Sequence, residues 1–305
     1  MTSPRFDITA AHPEFLRLRT AVGAGDWAAV EQFFASMPDD NWTARATWIV
    51  AEVAGVEEFL RRVPRSRLSR LLLASRHIAH AWEIRSGKQA KYVSAQQFAG
   101  MHDALRAAEA ILIDLTAEDP SDTIAWLKRI PVCMGLQLGQ SEARRRYDRL
   151  ARHNPHLLPA QTALVQQLCP KWSGSWESLH AFARECMNAA PPGSLNPIVV
   201  GEAHLEHAQA IGKAGRAEYL AGVEAELDEA VRKSLLHPAF RKVPGWVSAH
   251  GVFAVLSSWA GNQAKAAVHF QALGDLASSY PWESCFTNPA AGFQELRAAA
   301  LGGKR

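Results

Sequence analysis

The sequence predicts an all-α fold, and three observations support this prediction. Along most of the chain, apolar residues recur at intervals of three and four positions, which places them on one face of an α-helix. Alanine, the strongest helix former, is abundant. No segment rich in Val, Ile and Thr alternates apolar with polar residues as a half-buried strand would. We therefore expect about fourteen helices joined by short loops.

Helix caps and helix breakers set the predicted boundaries. Asp26, Ser66 and Ser175 each precede a segment of helical periodicity and are favourable N-cap residues. Pro131 is expected to kink or break its helix, and Gly174 to supply a positive φ in the turn before Ser175. The predicted helices are 13–24, 26–36, 42–54, 56–63, 66–86, 94–116, 121–138, 141–153, 157–168, 176–189, 196–214, 216–236, 246–260 and 263–279, with a short final helix over 293–301.

The composition is that of a folded, soluble protein. The chain has 305 residues, of which 48% are hydrophobic and 21% are charged, and its net charge is +3. That charge is too small to require a nucleic-acid or acidic-membrane partner. The first residues lack the apolar core of a secretory signal, and no stretch reaches the ~18 apolar residues of a membrane helix. We expect a cytoplasmic protein without a membrane segment.

The four cysteines do not form a C-x-x-C pair, so they carry no zinc-ribbon or thioredoxin signal. Cys169 and Cys186 lie on adjacent predicted helices, which leaves a disulfide between them as an alternative. In a reducing cytosol we expect two buried free thiols instead.

A repeat of 35 to 36 residues ends at Pro120, Pro155 and Pro191. Small or apolar residues precede each proline by 12, 8 and 5 positions, so they share one helical face. Helix pairs of this length cannot bury such faces alone, and they therefore stack on one another. The matching sets are Ala108, Leu112, Leu115 and Pro120; Ala143, Tyr147, Leu150 and Pro155; and Leu179, Ala183, Cys186 and Pro191.

The pattern small-x-x-x-aromatic-x-x-apolar-x-x-x-x-Pro, clearest at Ala143, Tyr147, Leu150 and Pro155, resembles the second helix of a tetratricopeptide repeat. The first helix departs from that family, because Ile130-Pro131 stands where a Leu-Gly pair is expected. A second resemblance, to a family of uncharacterised actinobacterial proteins with tetratricopeptide-like architecture, implies no known activity. It is carried by AWEIRSG (81–87), LQLGQSEARRRYDRLARHNP (136–155), PKWSGSWESLHAFAR (170–184) and EAHLEH (202–207).

These resemblances imply an α-solenoid, a superhelix of stacked antiparallel helix pairs. It would form one helical-repeat domain over residues 1–305. Within that domain we expect less regular helices over 1–87, the clearest repeats over 88–193 and helical hairpins over 194–305.

In such a superhelix the first helix of each pair lines a concave groove, and the family's spacing places polar, mildly basic side chains there. They would suit an extended acidic peptide or a peptide carboxylate, so we expect a non-catalytic scaffold or adaptor that binds a protein or peptide partner. Trp172 has an alternative role, as a staple that holds its turn to neighbouring residues. The expected binding residues are Gln97, Lys128, Gln161, Lys171, Trp172, Glu202, His204 and His207.

An enzyme or accessory subunit is the alternative, with a metal or acid–base site around Glu202, His204 and His207. The two histidines are three positions apart and share a helix face, so both rings could bind one metal ion. The sequence contains no H-E-x-x-H, G-x-S-x-G, Walker loop or G-x-G-x-x-G motif. We therefore favour the scaffold and assign no catalytic residue, metal or cofactor.

Two segments are rich in arginine. They could bind phosphate groups, acidic peptides or nucleic acid, or they could be solvated helix faces balanced by the acidic stretch 218–229. Neither segment interleaves aromatic residues that would stack bases, which makes nucleic acid the less favoured partner. The arginines are Arg61, Arg62, Arg65, Arg67, Arg70 and Arg76 in the first segment, and Arg144, Arg145, Arg146, Arg149 and Arg152 in the second.

Overall fold

The structure is a computed structural model that describes residues 3–87 and 92–302. These residues form eighteen α-helices and no β-strand, apart from one isolated bridge between Arg5 and Leu276, which confirms the all-α prediction. In chain order the helices are α1 (Ile8–Ala11), α2 (Glu14–Gly23), α3 (Trp27–Ala35), α4 (Asp40–Ala51), α5 (Val56–Arg62), α6 (Arg67–Arg85), α7 (Ala95–Glu118), α8 (Thr123–Gly135), α9 (Gln140–Ala151), α10 (Leu158–Leu168), α11 (Trp176–Ala189), α12 (Ile198–Ile211), α13 (Arg216–Gly222), α14 (Glu224–Lys233), α15 (Trp246–Trp259), α16 (Gln263–Leu273), α17 (Ser279–Cys285) and α18 (Pro289–Leu301).

Helices α1, α14 and α17 were not expected as separate elements. The predicted helix 216–236 divides at Val223, whose φ of −113° and ψ of 9° lie outside helical geometry. The predicted helix 263–279 ends at Leu273, because Gly274 has a φ of 61° and a left-handed residue ends a helix. The first difference divides one predicted helix into α13 and α14, and the second shortens a predicted helix to α16, with α17 starting only where the predicted helix ends.

The predicted N-caps are confirmed. Asp26 accepts a hydrogen bond from the Ala29 amide at 3.0 Å, and Ser66 and Ser175 do the same for amides three residues later. Pro131 lies inside α8, which continues to Gly135. The proline therefore does not break this helix, although it lacks the amide that would bond the preceding turn.

The described residues form two compact units. The N-terminal unit comprises residues 14–87, 92–167 and 171–173, and the C-terminal unit comprises residues 3–13, 168–170 and 174–302. The single repeat array expected over residues 1–305 stays a prediction, as does its superhelical, tetratricopeptide-like stacking.

In the N-terminal unit, α6 and α7 pack along each other, and α8 packs against α7 and α9. Leu71, Leu72 and Ile78 of α6 are buried, as is Leu105 of α7. Gly135 lets α7 and α8 approach closely, since a Cβ there would lie 2.4 Å from Leu105 Cδ1. The apolar residues of the first two repeat sets are also buried and form the inner faces of α7 and α9: Ala108, Leu112 and Leu115 on α7, and Ala143, Tyr147 and Leu150 on α9.

In the C-terminal unit, α15 is buried almost all round and packs against α12, α16 and α17. An aromatic cluster joins α16, α17 and α18, with ring centroids 5.5 Å apart for Phe270 and Phe293 and 4.9 Å apart for Trp282 and Phe293. A helix that is apolar on every side belongs in a core. Helix α15 therefore anchors this unit.

Every helix within residues 3–87 and 92–302 is too short or too polar to cross a lipid bilayer. The four cysteines are free thiols, and Cys169 and Cys186 are buried as expected.

Candidate functional site

The residues predicted to line a groove in the N-terminal unit do not share one open surface. Lys128 is 0% exposed and Gln161 is also buried, donating a hydrogen bond to the Pro155 carbonyl at 3.0 Å. Gln97 is part of a capping box at the start of α7, where its side chain accepts from the Ser94 amide at 3.1 Å. These three side chains are therefore used for packing and capping, and any binding role for them stays a prediction.

Lys128 is an unusual buried cation. Its Nζ has no hydrogen-bond partner among the described residues and lies 4.1 Å from the ring centroid of Trp48. Burial, together with the nearby charge of Arg45, lowers the pKa of Lys128 to about 7. An amine in this setting is held by the packing around its stem and by the aromatic face of Trp48.

The turn at Lys171 and Trp172 holds its own unit together. The Trp172 ring meets the Trp82 ring edge-to-face, with centroids 6.4 Å apart and planes at 87°. The positive φ of this turn belongs to Ser173, at 70°, and not to Gly174 as predicted. The contact between the two tryptophans is what a staple requires, and a ligand contact at Trp172 stays a prediction.

Glu202 points to a different side of helix α12 from the two histidines. Residues two positions apart on a helix point in directions about 160° apart, because each residue turns the helix by 100°. Glu202 is near Glu206, one turn along the same face, and burial followed by the Glu206 charge raises its pKa to about 8. His204 and His207 contact residues of other helices, so the structure does not bring Glu202 together with both histidines, and the expected site at these three residues stays a prediction.

The histidines belong to a cluster that the sequence did not reveal, here called the histidine cluster: His180, His204, His207, Tyr219 and Glu226. His204 Nε2 lies 3.0 Å from a Glu226 carboxylate oxygen, and His204 Nδ1 lies 2.6 Å from the Tyr219 hydroxyl. His180 Nε2 lies 3.3 Å from that hydroxyl and 3.0 Å from His207 Nδ1. The five side chains form one continuous hydrogen-bonded chain.

Proton positions in this chain follow from the carboxylate. Glu226 only accepts, so His204 donates through Nε2, and a neutral His204 ring then accepts the Tyr219 proton at Nδ1. Burial is the main cause that lowers the pKa of His180 to about 4, and burial also lowers the pKa of His207. The pKa of Glu226 is lowered by its hydrogen bond with His204, and burial raises the pKa of Tyr219. The cluster therefore holds one ionised carboxylate, and burial favours the neutral forms of the His180 and His207 rings.

The arrangement has the order carboxylate, imidazole, hydroxyl, which can move a proton between the two oxygens. It does not suit a metal: within residues 3–87 and 92–302, no group of three His, Cys, Asp or Glu side chains has the geometry to hold an ion. Trp176 covers one end, stacked on His207 with ring centroids 4.2 Å apart. His180 and Tyr219 lie on α11 and α13, so no local spacing in the sequence links them to α12.

A second candidate is the solvent face of α9, here called the arginine face: Arg144, Arg145, Arg149 and Arg152. With Ser141 and Asp148 these residues line a shallow depression of about 450 Å³. Arg144 bonds Asp148 at 2.8 Å, and Arg145 bonds Glu142 at 2.7 Å. Arg149 and Arg152 are exposed and have no charged or hydrogen-bonded partner in the described chain.

The inner side of α9 fixes the arginine face in place. Arg146 is 2% exposed and donates to Glu109, to Glu142 and to the Arg129 carbonyl, at 2.8, 2.7 and 2.6 Å. Glu109 also accepts from Arg129 at 2.7 Å, so one carboxylate joins α7, α8 and α9. The exposed arginines therefore project from a rigid element.

Comparison with family models, with curated proteins and with solved structures finds no match to this chain.

Proposed function

We propose that the protein is a non-catalytic scaffold or adaptor that binds an acidic protein or peptide segment on the arginine face of α9. The observation that carries the proposal is the pair Arg149 and Arg152, two exposed guanidinium groups without a partner. They extend from a helix whose buried side is held by the ion pairs of Arg146. The lining of the depression has four arginines and one aspartate, a formal charge of +3 (4 − 1). Guanidinium groups bind carboxylates in pairs of parallel hydrogen bonds.

A peptide suits this face better than a nucleic acid does. The one aromatic residue of α9, Tyr147, is 6% exposed and faces the interior, so no ring is available to stack a base. A run of carboxylates spaced along a peptide would meet Arg145, Arg149 and Arg152, which lie on successive turns of the helix.

The test is direct binding of a fluorescent glutamate-rich peptide, followed by anisotropy. Arg149→Gln/Arg152→Gln should weaken binding at least tenfold. The wild-type affinity should also fall as salt rises from about 50 to about 200 mM, because the contacts are exposed charges. The matched control is Arg61→Gln/Arg62→Gln, which removes two exposed arginines that are already paired with Glu57 and Glu58.

Two results would contradict the proposal. One is equal loss of affinity in both double variants, which would show only a general charge effect. The other is binding of a single-stranded oligonucleotide with higher affinity than the peptide and with the same dependence on Arg149 and Arg152, which would favour a nucleic-acid partner.

Acid–base catalysis at the histidine cluster is a second candidate function. The observation that favours it is the hydrogen-bonded order Glu226, His204, Tyr219, in which the imidazole can take the tyrosine proton while the carboxylate stabilises the resulting charge. Hydrolysis of activated nitrophenyl esters is a suitable probe. Activity that disappears in Tyr219→Phe and His204→Asn but persists in Glu202→Gln would support it, and activity unchanged by all three would exclude the cluster as its source.

A further inference from the structure

The C-terminal unit contains an apolar groove at the packed edge of α13 to α16. Its volume is about 260 Å³, and it lies apart from the histidine cluster's own side chains. Two of its lining residues expose large apolar surfaces to solvent, with Leu236 at 54% and Val268 at 41%. Exposed apolar side chains around a concavity are typical of a ligand site. The apolar lining consists of Leu220, Leu227, Val231, Leu236, Phe253, Leu256, Ala260 and Val268.

Most charged side chains on the rim of this groove are paired with one another, and one is not. The Lys265 ammonium binds Asp228 at 2.6 Å and Glu224 at 2.7 Å, so both carboxylates and this cation are engaged with one another. Glu224 also accepts from Asn262 at 3.2 Å. Arg232 lines the groove one helical turn after Asp228, is exposed, and has no ion-pair or hydrogen-bond partner within the described residues.

The floor of the groove is polar at one position but carries no charge. His269 lines it and is 3% exposed, and its Nδ1 lies 3.0 Å from Nδ1 of His250. Burial is the main cause that lowers the pKa of His269 to about 3 and that of His250 to about 4. One ring donates and the other accepts, so both are neutral at physiological pH and neither competes with Arg232 for an anion.

We propose that this groove binds a small amphiphile with a linear apolar tail and a carboxylate head. The tail lies along the leucine and valine side chains of the lining, and the head pairs with the guanidinium of Arg232. A cationic head would find Glu224 and Asp228 already bound by Lys265, whereas an anionic head meets the one rim cation that has no partner. The charge pattern thus selects an alkyl carboxylate over an alkylammonium ion.

The first test is a binding series with octanoate, decanoate and dodecanoate, each below its micelle concentration, measured by isothermal titration calorimetry. Each added methylene should tighten binding about two- to fourfold until the groove is filled, because ~0.8 kcal/mol accompanies burial of each methylene. Alkylammonium ions and alkanols of the same length should bind at least tenfold more weakly. A series without chain-length dependence, or one in which the ammonium ion binds best, would overturn the proposal.

The second test separates the head from the tail. Arg232→Gln should weaken decanoate at least tenfold and leave decanol unchanged, while the matched control Arg241→Gln, an exposed arginine outside the lining, should bind as wild type does. Val268→Asp, at an exposed position that need not disturb folding, should weaken both ligands. Equal decanoate affinity in wild type and Arg232→Gln would show that the carboxylate does not bind where proposed, and undiminished binding by Val268→Asp would exclude the groove.

Discussion

The two arginine-rich segments look alike in the sequence and differ in what surrounds them. Five of the six arginines around α5 and α6 are paired with carboxylates, and the exception is Arg65 in the connecting loop. On α9 the arginines differ in exposure, with Arg146 buried in an ion-pair network and Arg149 and Arg152 unpaired in solvent. Arginine density therefore says little about binding, and the placement of nearby carboxylates decides which guanidinium groups are available.

The comparison is sharpened most by Arg146, which is buried on the same helix that carries the unpaired arginines. Arg146→Met should reduce the free energy of unfolding by about 3 to 5 kcal/mol, because it leaves Glu109 and Glu142 short of a partner in a desolvated place. Arg149→Met, at an exposed position one turn further along the same helix, should change it by less than about 0.5 kcal/mol. Urea unfolding of the two variants measures the difference, and equal effects would contradict the distinction between the buried, anchoring Arg146 and the exposed, free Arg149.

The next largest effect concerns Lys128, a buried cation without a counter-ion. Lys128→Met should stabilise the protein by about 1 to 4 kcal/mol, since the apolar side chain avoids the cost of desolvating an ammonium group. The folded pKa of about 7 lies below the ordinary value of 10.5, so the unfolded chain binds more protons between these values and wild-type stability rises with pH there. The gain from Lys128→Met should accordingly shrink between pH 7 and 10 in pH-dependent urea unfolding, and a gain that grows would refute it.

A smaller effect is expected at Glu142, which accepts hydrogen bonds from Arg145 and Arg146. The hydrogen bond with Arg145 is the largest cause that lowers the pKa of Glu142 to about 2 from its usual 4.5. This carboxylate thus stabilises the fold above pH 4.5, and its contribution disappears as pH falls toward 2. Glu142→Gln should be less stable than wild type by about 1 kcal/mol at neutral pH. Acid titrations of the two proteins should converge near pH 2, and curves that stay parallel would be evidence against the pairing.

The smallest effect belongs to the paired surface arginines of α5. Arg61→Gln removes an exposed ion pair with Glu57 four residues earlier, and such pairs contribute about 0 to 0.5 kcal/mol. Thermal unfolding should detect almost no change. A loss above about 1 kcal/mol would mean that the first arginine segment stabilises the fold more than its exposure implies.

The sequence was sufficient for the elements of the fold because their determinants are local. Helical periodicity, the N-cap residues Asp26, Ser66 and Ser175, and the short loops follow from neighbours within a few positions. The divisions at Val223 and Gly274 were missed because apolar spacing continues across both residues. Hydrophobic periodicity shows which face of a helix is buried, but it does not show where the backbone leaves helical geometry.

The candidate sites were harder to predict, because they depend on contacts between helices. Arg146 forms an ion pair with Glu109, which lies 37 positions earlier in the chain. His204 is hydrogen-bonded to Tyr219 and Glu226, which lie on two later helices. Lys128 was expected in a groove, yet α8 is buried on nearly every side, which its apolar spacing alone did not indicate. The angular separation of Glu202 from His204, in contrast, was available from helix geometry without a structure.

The shared carboxylate of Glu109 has a consequence for how the N-terminal unit opens. Arg129 of α8 and Arg146 of α9 are both paired with this one carboxylate of α7. Moving either helix away therefore leaves a buried cation without its counter-ion. Native-state hydrogen exchange should therefore show the central amides of α8 and α9 exchanging through one common opening, with similar free energies and similar denaturant dependence. The three helices would then behave as a single cooperative block, in which local fluctuations are suppressed and only a concerted opening exposes the backbone to solvent.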